Sequence, residues 1–501
     1  MQEGPDSTTI HPGAGGHHDP SGASGIHVVV DLTADQGPAR AGTDTVPVAT
    51  VATVAGILGP LFERILKGRT LSVPVRFWDG SVLGGRDGSD ATIVVRSPRA
   101  LQYLLYAPGE LGLGRAFVSG ELDIEGDIYA ALDVRASVAD ARQPVDFGFD
   151  ATTIGLAWQA ARRLGIIARP PRPPAEEARF GSVRGRLAMG RDLLRPHTKA
   201  RDRAAISHHY DVGNRFYRTI LGPTLTYSCA FFAEPDFTLK EAQNAKYELV
   251  CRKLGLRPGM RLLDIGCGWG GMVLHAGRHH GVSAVGISLS SEQVELARQR
   301  VAEAGLSDRI EIRLQDYRDL DDGPFDAISS IGMFEHVGAA RQRAYFERIK
   351  ALLVVGGRVL NHAISSPDTF GEPVSPRSFI GRYVFPDGQL HEVGRTVTQM
   401  QDLHLEVRDV ESLREHYGRT LRCWVDNLDR NWDAMVAEVG AGRARVWRLY
   451  MAACALHFEA GRTNIHQVLA VRTDPGNGAS GMPPNRSWLD HRAWLPAIRG
   501  S

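Results

Sequence analysis

Cysteine is scarce in this 501-residue chain: Cys229, Cys251, Cys267, Cys423 and Cys454 are odd in number and include no CxxC pair. That speaks against a disulfide framework and the usual zinc-binding spacings, so no metal is expected and a reducing compartment fits. An excess of one charge is also missing, since 58 basic and 57 acidic residues leave a formal charge of +1. No global field favours nucleic acid, and any basic partner surface must be local. Long apolar runs are absent as well. The only long uncharged stretch, Thr45 to Phe62, is interrupted by Pro47, Gly56 and Pro60 and makes a poor bilayer span. The opening MQEGPDSTTI is acidic and small-polar where a secretory leader would be basic and then apolar, so a cytoplasmic location is expected. What the chain does have is 43% hydrophobic content, enough for real cores in two to four domains.

The most informative stretch is RLLDIGCGWGGMVLHAGRHHGVSAVGISLSSEQ, Arg261 to Gln293. Arg261 to Ile265 reads as a buried strand, Gly266, Gly268, Gly270 and Gly271 crowd the following turn, and a helix runs to about His280. A second strand, Ala284 to Ser288, leads to a helix opening near Ser290 with Glu292 and Gln293 in its first turn. This order implies a right-handed parallel unit with its ligand crevice at the carboxyl ends of the strands. Glycines alone could serve only the turn. Asp264 before GCGWG, with no GK[ST], points to a nucleotide-type methyl donor, S-adenosylmethionine, and away from a P-loop.

In chain order, residues 1–44 are rich in Gly, Ser, Asp, Pro and His and read as a disordered tail, in which His11, His17 and His18 offer a weak metal-binding alternative. Residues 45–160 hold a helix from Val51 to Leu66, strands Val73 to Ser81 and Ala91 to Ser97, then helix, loop and helix, a small α+β module without a catalytic cluster. Residues 161–200 form a basic, Pro-rich linker. From 162 to 203 there are twelve Arg or Lys against four Asp or Glu, a balance of 12 − 4 = +8. It is either a solvated connection or an electrostatic foot on an anionic membrane, where each basic group contributes on the order of 1 kcal/mol.

Residues 201–495 are read as the donor-binding domain, with an aromatic-rich segment up to Ala233 in the position of a lid. Arg309 to Leu320 supplies a third strand, ending in Asp316, placed to accept from an adenine amino group. Phe325 to Gly338 is a fourth, ending in Glu335 and His336. A helix, a Gly356-Gly357 turn and Arg358 to Ser365 make the fifth. Thr369 to Gly394 reads as an excursion over the site, a long helical stretch runs through Tyr417, Trp424 and Trp447, and Asn464 to Arg472 completes the sheet.

The motifs YDVGNRFY, LTYSCAFF, LLDIGCGWGGM, VGISLSSEQ, GMFEHVG and YVFPDGQL, in this order, resemble the cyclopropane fatty acyl phospholipid synthase family over about Arg203 to Arg472. Residues 51–136 resemble its N-terminal lipid-side domain more weakly. The resemblance implies a class I, Rossmann-like methyltransferase fold: a seven-stranded mixed sheet with a helical lid, beside a smaller N-terminal α+β domain. It also implies attack of an acyl-chain alkene in a phospholipid on the sulfonium methyl, followed by proton loss to a bound bicarbonate. Matched by motif, the bicarbonate ligands fall on Cys229, Glu335, His362, Ile364 and Tyr417. Donor contacts fall on Tyr227, Ser228, Gly266, Gly268, Ser288 and Gln293, with Asp264 and Asp316 from the residue reading. Ser288 stands where many methyltransferases carry an acidic ribose ligand.

The expected partners are unsaturated phospholipid acyl chains and the anionic inner face of the membrane, with a homodimer admitted and no nucleic acid. Three alternatives stay open. A methylene branch, precursor of a 10-methyl chain, would need a separate reductase. Methylation of a small natural product would need no lipid. A non-catalytic lipid-binding protein would show no donor turnover.

Overall fold

The computed structural model describes residues 52–66, 71–86, 88–133, 150–177, 199, 213–368, 375, 378–385, 388–486, 490 and 494–499. The tail with its three histidines and most of the basic linker lie outside the described residues.

The central element is a seven-stranded mixed sheet. Its strands are β5 (Arg261–Ile265), β6 (Ser283–Ser288), β7 (Ile310–Leu314), β8 (Phe325–Ile331), β9 (Leu353–Ser365), β10 (Leu405–Ser412) and β11 (Asn464–Arg472), following four in the N-terminal module. Their order is β10-β11-β9-β8-β5-β6-β7. The five strands β5 to β9 pair in parallel, and β11 joins both β9 and β10 antiparallel. Leu262, Leu263 and Ile265 are all buried, as a strand covered by helices on both faces requires. The chain winds from β5 outward to β6 and β7, then returns to β8 on β5's other edge. A crevice therefore opens at the carboxyl end of β5, where the winding reverses.

The N-terminal module has a four-stranded sheet, β2-β1-β3-β4, built from β1 (Val75–Arg76), β2 (Val82–Leu83), β3 (Ala91–Val95) and β4 (Leu122–Gly126). Here the structure departs from the sequence expectation of one strand over Val73 to Ser81. The Asp79 carboxylate accepts from the Ser81 N–H and from the Val54 N–H, turning the chain tightly into a hairpin. Gly356 and Gly357, expected in a turn ahead of the fifth strand, lie within β9. The ladder there jumps from a Phe325–Leu353 pair to an Ala327–Arg358 pair, with Gly356 at φ +77°. The long helical stretch is three helices, Arg414–Arg430, Trp432–Val439 and Ala441–Glu459, the last two separated by Gly440 at φ +82°.

The module packs directly on these helices. Helix Glu110–Val118 lies against helix Ala441–Glu459, and Asp123 takes both guanidinium nitrogens of Arg445 at 3.0 and 2.9 Å. Glu177, in the basic connection, pairs with Arg115 at 2.7 Å and Arg382 at 3.4 Å. One carboxylate thus joins the module, the connection and the segment after β9.

Candidate active site

At the carboxyl end of β5 the turn is built for close approach. Gly266, Gly268 and Gly270 have φ of +80°, +54° and +79°, a region that L side chains rarely enter. A Cβ on Gly271 would stand 2.2 Å from the Tyr247 hydroxyl, so only glycine lets this helix start so near its neighbour. The cavity above the turn is lined by Tyr227, Ser228, Asp264, Gly266, Gly268, Ser288 and Gln293, seven of the residues expected to hold the donor. Ser288 donates to Gln293 Oε1 at 2.8 Å, tying the second strand to the first turn of the next helix.

Asp316 is placed otherwise. Its carboxylate is wrapped by Arg318, whose backbone N–H, Nε and Nη2 lie at 2.9, 2.8 and 2.6 Å. The guanidinium and these hydrogen bonds hold its pKa below the usual carboxylate range despite burial. Its neighbours Gln315 and Tyr317 line the cavity instead.

Lys246 is one of the lining residues that sequence reasoning missed, and the only lysine among them. It is 1% exposed on helix Leu239–Leu254, donates to Ser228 Oγ at 3.1 Å and sits 3.8 Å from the Tyr247 ring centroid. Burial lowers its pKa to about 7, opposed by the charge of Asp264. Burial likewise raises Asp264 to about 6, opposed by the Ser329 hydroxyl at 2.7 Å and by Lys246. Each partner is pushed toward its neutral form by desolvation and back toward its charged form by the other. Nothing in EAQNAKYELV marks the lysine, because the residue type normally faces water.

A second polar cluster adjoins this cavity. Ser228 lines the cavity and Cys229 belongs to the cluster; His336 lines the cavity and Glu335 belongs to the cluster. The two sites therefore meet at two peptide junctions. Glu335 Oε1 accepts the Ile364 N–H at 2.8 Å, while its Oε2 is buried without a partner. Burial raises this carboxyl to about 7, with the Ile364 N–H opposing. His362, two residues before Ile364 on β9, is 0% exposed; burial and the nearby Lys246 and Lys253 charges hold it neutral. Its cross-strand partner Gln467 lies with Nε2 3.1 Å from Nδ1. With that amide donating, the imidazole proton sits on Nε2, which is itself buried and unpartnered.

Cys229 is fully buried, and its Sγ faces the carbonyls of Ala230 and Leu413 at 3.2 and 3.6 Å. Burial pushes the thiol well above its ordinary pKa, so it is a neutral donor and not a nucleophile. Leu413 in turn donates to Ile465, the cross-strand partner of Ile364, which links the cysteine to the Glu335 side of the cluster. Tyr417 is buried against Trp424 and Phe458, near Tyr450, Cys229 and Glu335, and burial raises its phenol well above the ordinary pKa. An aromatic wall continues from there: Tyr227 stacks on Trp424 at 5.4 Å and meets Tyr217 and Trp447 at 5.9 and 5.8 Å.

The family model described as mycolic acid cyclopropane synthetase matches residues 197–468. The chain is 43% identical to the "Probable fatty acid methyltransferase Rv3720" of Mycobacterium tuberculosis over 83% of this chain and 95% of that one. It is 37% identical to the cyclopropane-fatty-acyl-phospholipid synthase of Escherichia coli K12, covering 56% of this chain and 72% of that one. Among solved structures it is similar to mycolic acid cyclopropane synthase CmaA1 complexed with SAH and CTAB. That likeness has a TM-score of 0.51 and 34% identity, and covers 56% of this chain and 99% of that one.

Proposed function

The chain belongs to the mycolic acid cyclopropane synthetase family of S-adenosylmethionine-dependent methyltransferases, and from this premise we propose that it methylates the double bond of unsaturated phospholipid acyl chains, closing a cyclopropane ring with bicarbonate as base. The observation that carries the reading is Glu335 Oε2, buried and unpartnered on the residue next to the cavity-lining His336, with a second such atom, His362 Nε2, two residues before the Ile364 whose N–H holds Glu335. Leaving such atoms dry costs roughly 1–3 kcal/mol each, so a small polar guest that reached them would be favoured.

Bicarbonate fits that demand. Its hydroxyl suits the Glu335 carboxylate as donor, its oxygens suit His362 Nε2–H as acceptors, and the Cys229 thiol and Tyr417 phenol are neutral donors close by. The Ile364 N–H is taken by Glu335, so Ile364 acts here by orienting that carboxylate. Bound there, bicarbonate would supply a base small enough to work where an ionised side chain is costly to bury.

The donor supplies a methyl group on a sulfonium, and the chain's own residues do the rest. Asp264, Ser288 and Gln293 orient polar groups, and the glycine turn brings the backbone against the ligand. An alkene is a weak nucleophile, so alignment in the cavity matters, and well-oriented reactants gain roughly 7–11 kcal/mol over a bimolecular encounter. The ring of Tyr227, which lines the cavity and is backed by Trp424, would stabilise positive charge developing on the acyl chain.

Access to lipid is proposed through helix Ala151–Arg163 and the segment after it. Ile154, Trp158 and Ile167 are 56%, 54% and 49% exposed, and Arg162, Arg163, Arg169 and Arg172 are exposed around them. Apolar anchors among cations suit the surface of an anionic bilayer. Among the described residues no helix is long and apolar enough to cross a membrane.

A second reading keeps donor and lipid, but a hydride shifts from the methylated carbon to the neighbouring cation before the new methyl group loses a proton, leaving a methylene branch for a separate reductase. Alignment over 83% of the chain with a fatty acid methyltransferase, against 56% with the cyclopropane synthase, favours keeping it. NMR of lipids from expressing cells separates the two: a high-field ring methylene supports the first, an exocyclic alkene the second.

A further inference from the structure

On the face of helix Leu239–Leu254 away from Ser228, three metal-ligating side chains converge and a fourth, Glu248, is hydrogen-bonded to two of them. Glu248 and Cys251 lie one turn apart on this helix, and His275 and His280 come from the last turns of helix Gly271–His280. Cys251 Sγ and one ring nitrogen of each imidazole lie within 4.8 Å of one another. Glu248 Oε2 stands 3.1 Å from His275 Nε2 and 2.9 Å from His280 Nε2, while Arg252 holds the other oxygen at 2.6 Å.

We propose that Glu248, Cys251, His275 and His280 bind one divalent, borderline-soft transition-metal cation, of which Zn²⁺ is the best match. The set of one sulfur, two nitrogens and one oxygen is the mixture zinc accepts, with bonds of about 2.3 Å to sulfur and about 2.0–2.2 Å to nitrogen and oxygen. Two light ligands about 2.1 Å from an ion stand about 3.0–3.4 Å apart at angles from 90° to tetrahedral. The Glu248–His275 separation of 3.1 Å falls in that range and the Glu248–His280 separation of 2.9 Å just below it. A thiolate and a carboxylate together cancel the dication, so the cluster can hold it with little net buried charge. Arg252 on the outer oxygen orients the carboxylate as ligand-supporting hydrogen bonds do elsewhere.

The reaction balances without a redox partner. Cys251 loses its thiol proton to solvent as the sulfur–metal bond forms, and each neutral imidazole binds through a lone pair, its N–H moving to the other ring nitrogen. One proton leaves per ion. Four protein ligands close the shell, which marks a structural site and not a catalytic one. It would staple the helix that carries Lys246 to the helix that starts at the glycine turn. The side chain of His280 is 15% exposed and that of Glu248 10%, which leaves an approach from solvent.

The test uses the untagged full chain, stripped with chelator, in which His11, His17 and His18 are replaced by alanine to remove competing ligands. Zn²⁺ is titrated calorimetrically in two buffers of different ionisation enthalpy, and Co²⁺ is followed by its thiolate charge-transfer absorbance. The expected result is one ion per chain, about one proton released and a higher melting temperature. Cys251→Ala should abolish the cobalt–thiolate band, and His280→Asn, at the more open edge, should weaken binding at least tenfold while the chain stays folded. Binding of far less than one ion, an absent thiolate band, or affinity unchanged in both variants would overturn the site.

Discussion

The backbone N–H of Ile364 holds one oxygen of Glu335 at 2.8 Å and leaves the other buried and unpartnered. A carboxylate fixed on one side and open on the other suits the handling of a proton on a guest. Replacing Glu335 by Gln preserves the backbone hydrogen bond and removes the charge. The expected outcome is donor affinity within about threefold of wild type and turnover lowered on the order of 10²–10⁴-fold. Calorimetry and a radiolabelled methyl-transfer assay read the two separately; unchanged turnover would remove Glu335 from the chemistry.

The pKa of Glu335 gives a pH dependence with a defined sign. Burial raises it to about 7, so turnover that needs the carboxylate rises with pH through about 7 and levels off above. Stability runs the other way. A carboxyl whose folded pKa is raised favours folding fully below its ordinary value and loses that contribution as pH climbs through about 7. Glu335→Gln should therefore be more stable than wild type above pH 7, by on the order of 3 kcal/mol. Denaturant melts of the two proteins at pH 5 and pH 8 check it, the difference being expected only at the higher pH.

Gln467 acts through His362, as a positioning residue. Gln467→Leu removes the donor to Nδ1 and frees the imidazole to place its proton on either nitrogen. Turnover should fall roughly 10–100-fold, by analogy with outer partners of liganding histidines, with KM for the donor little changed. Gln467→Asn, which keeps the amide, should restore part of the loss; equal loss in both variants would indicate a packing defect.

Lys246 and Asp264 should depend on each other. Lys246→Met leaves Asp264 buried without its countercharge and is expected to cost roughly 3–5 kcal/mol of stability along with weaker donor binding. Adding Asp264→Asn removes the uncompensated charge and should recover much of the stability but not the donor affinity. A double-mutant cycle on thermal melts measures the coupling, and additive losses would mean the two do not interact.

Binding to vesicles should follow the exposed face. Trp158→Ser with Ile154→Ser is expected to weaken sedimentation with anionic vesicles at least tenfold and leave donor binding intact, and raising salt should weaken the wild type further. Equal binding by both proteins would place the lipid contact elsewhere.

How far the sequence carried these features follows from what each residue must do. The donor turn was legible because positive φ and close approach demand glycine, and glycine is visible as a letter. The alternation of apolar strands with helices announced the parallel sheet for the same reason. Asp316 looked free at a strand end, but Arg318 two residues on wraps its carboxylate, a pairing of side-chain directions that spacing does not reveal. Lys246 was hidden because its burial is decided by Asp264 and Ser228 from other segments. Gln467 did leave a trace, as an amide next to the apolar run VLAV of NIHQVLAVR, yet its register against His362 appears only in the folded sheet.

The most direct measurement supplies purified protein with labelled S-adenosylmethionine and vesicles of monounsaturated phospholipid, with and without bicarbonate, and analyses the acyl chains by mass and NMR. The account predicts one added carbon as a cyclopropane methylene, at a rate that falls when bicarbonate is removed and is lost in Glu335→Gln. Acyl chains left unmodified by protein that binds the donor normally would contradict it.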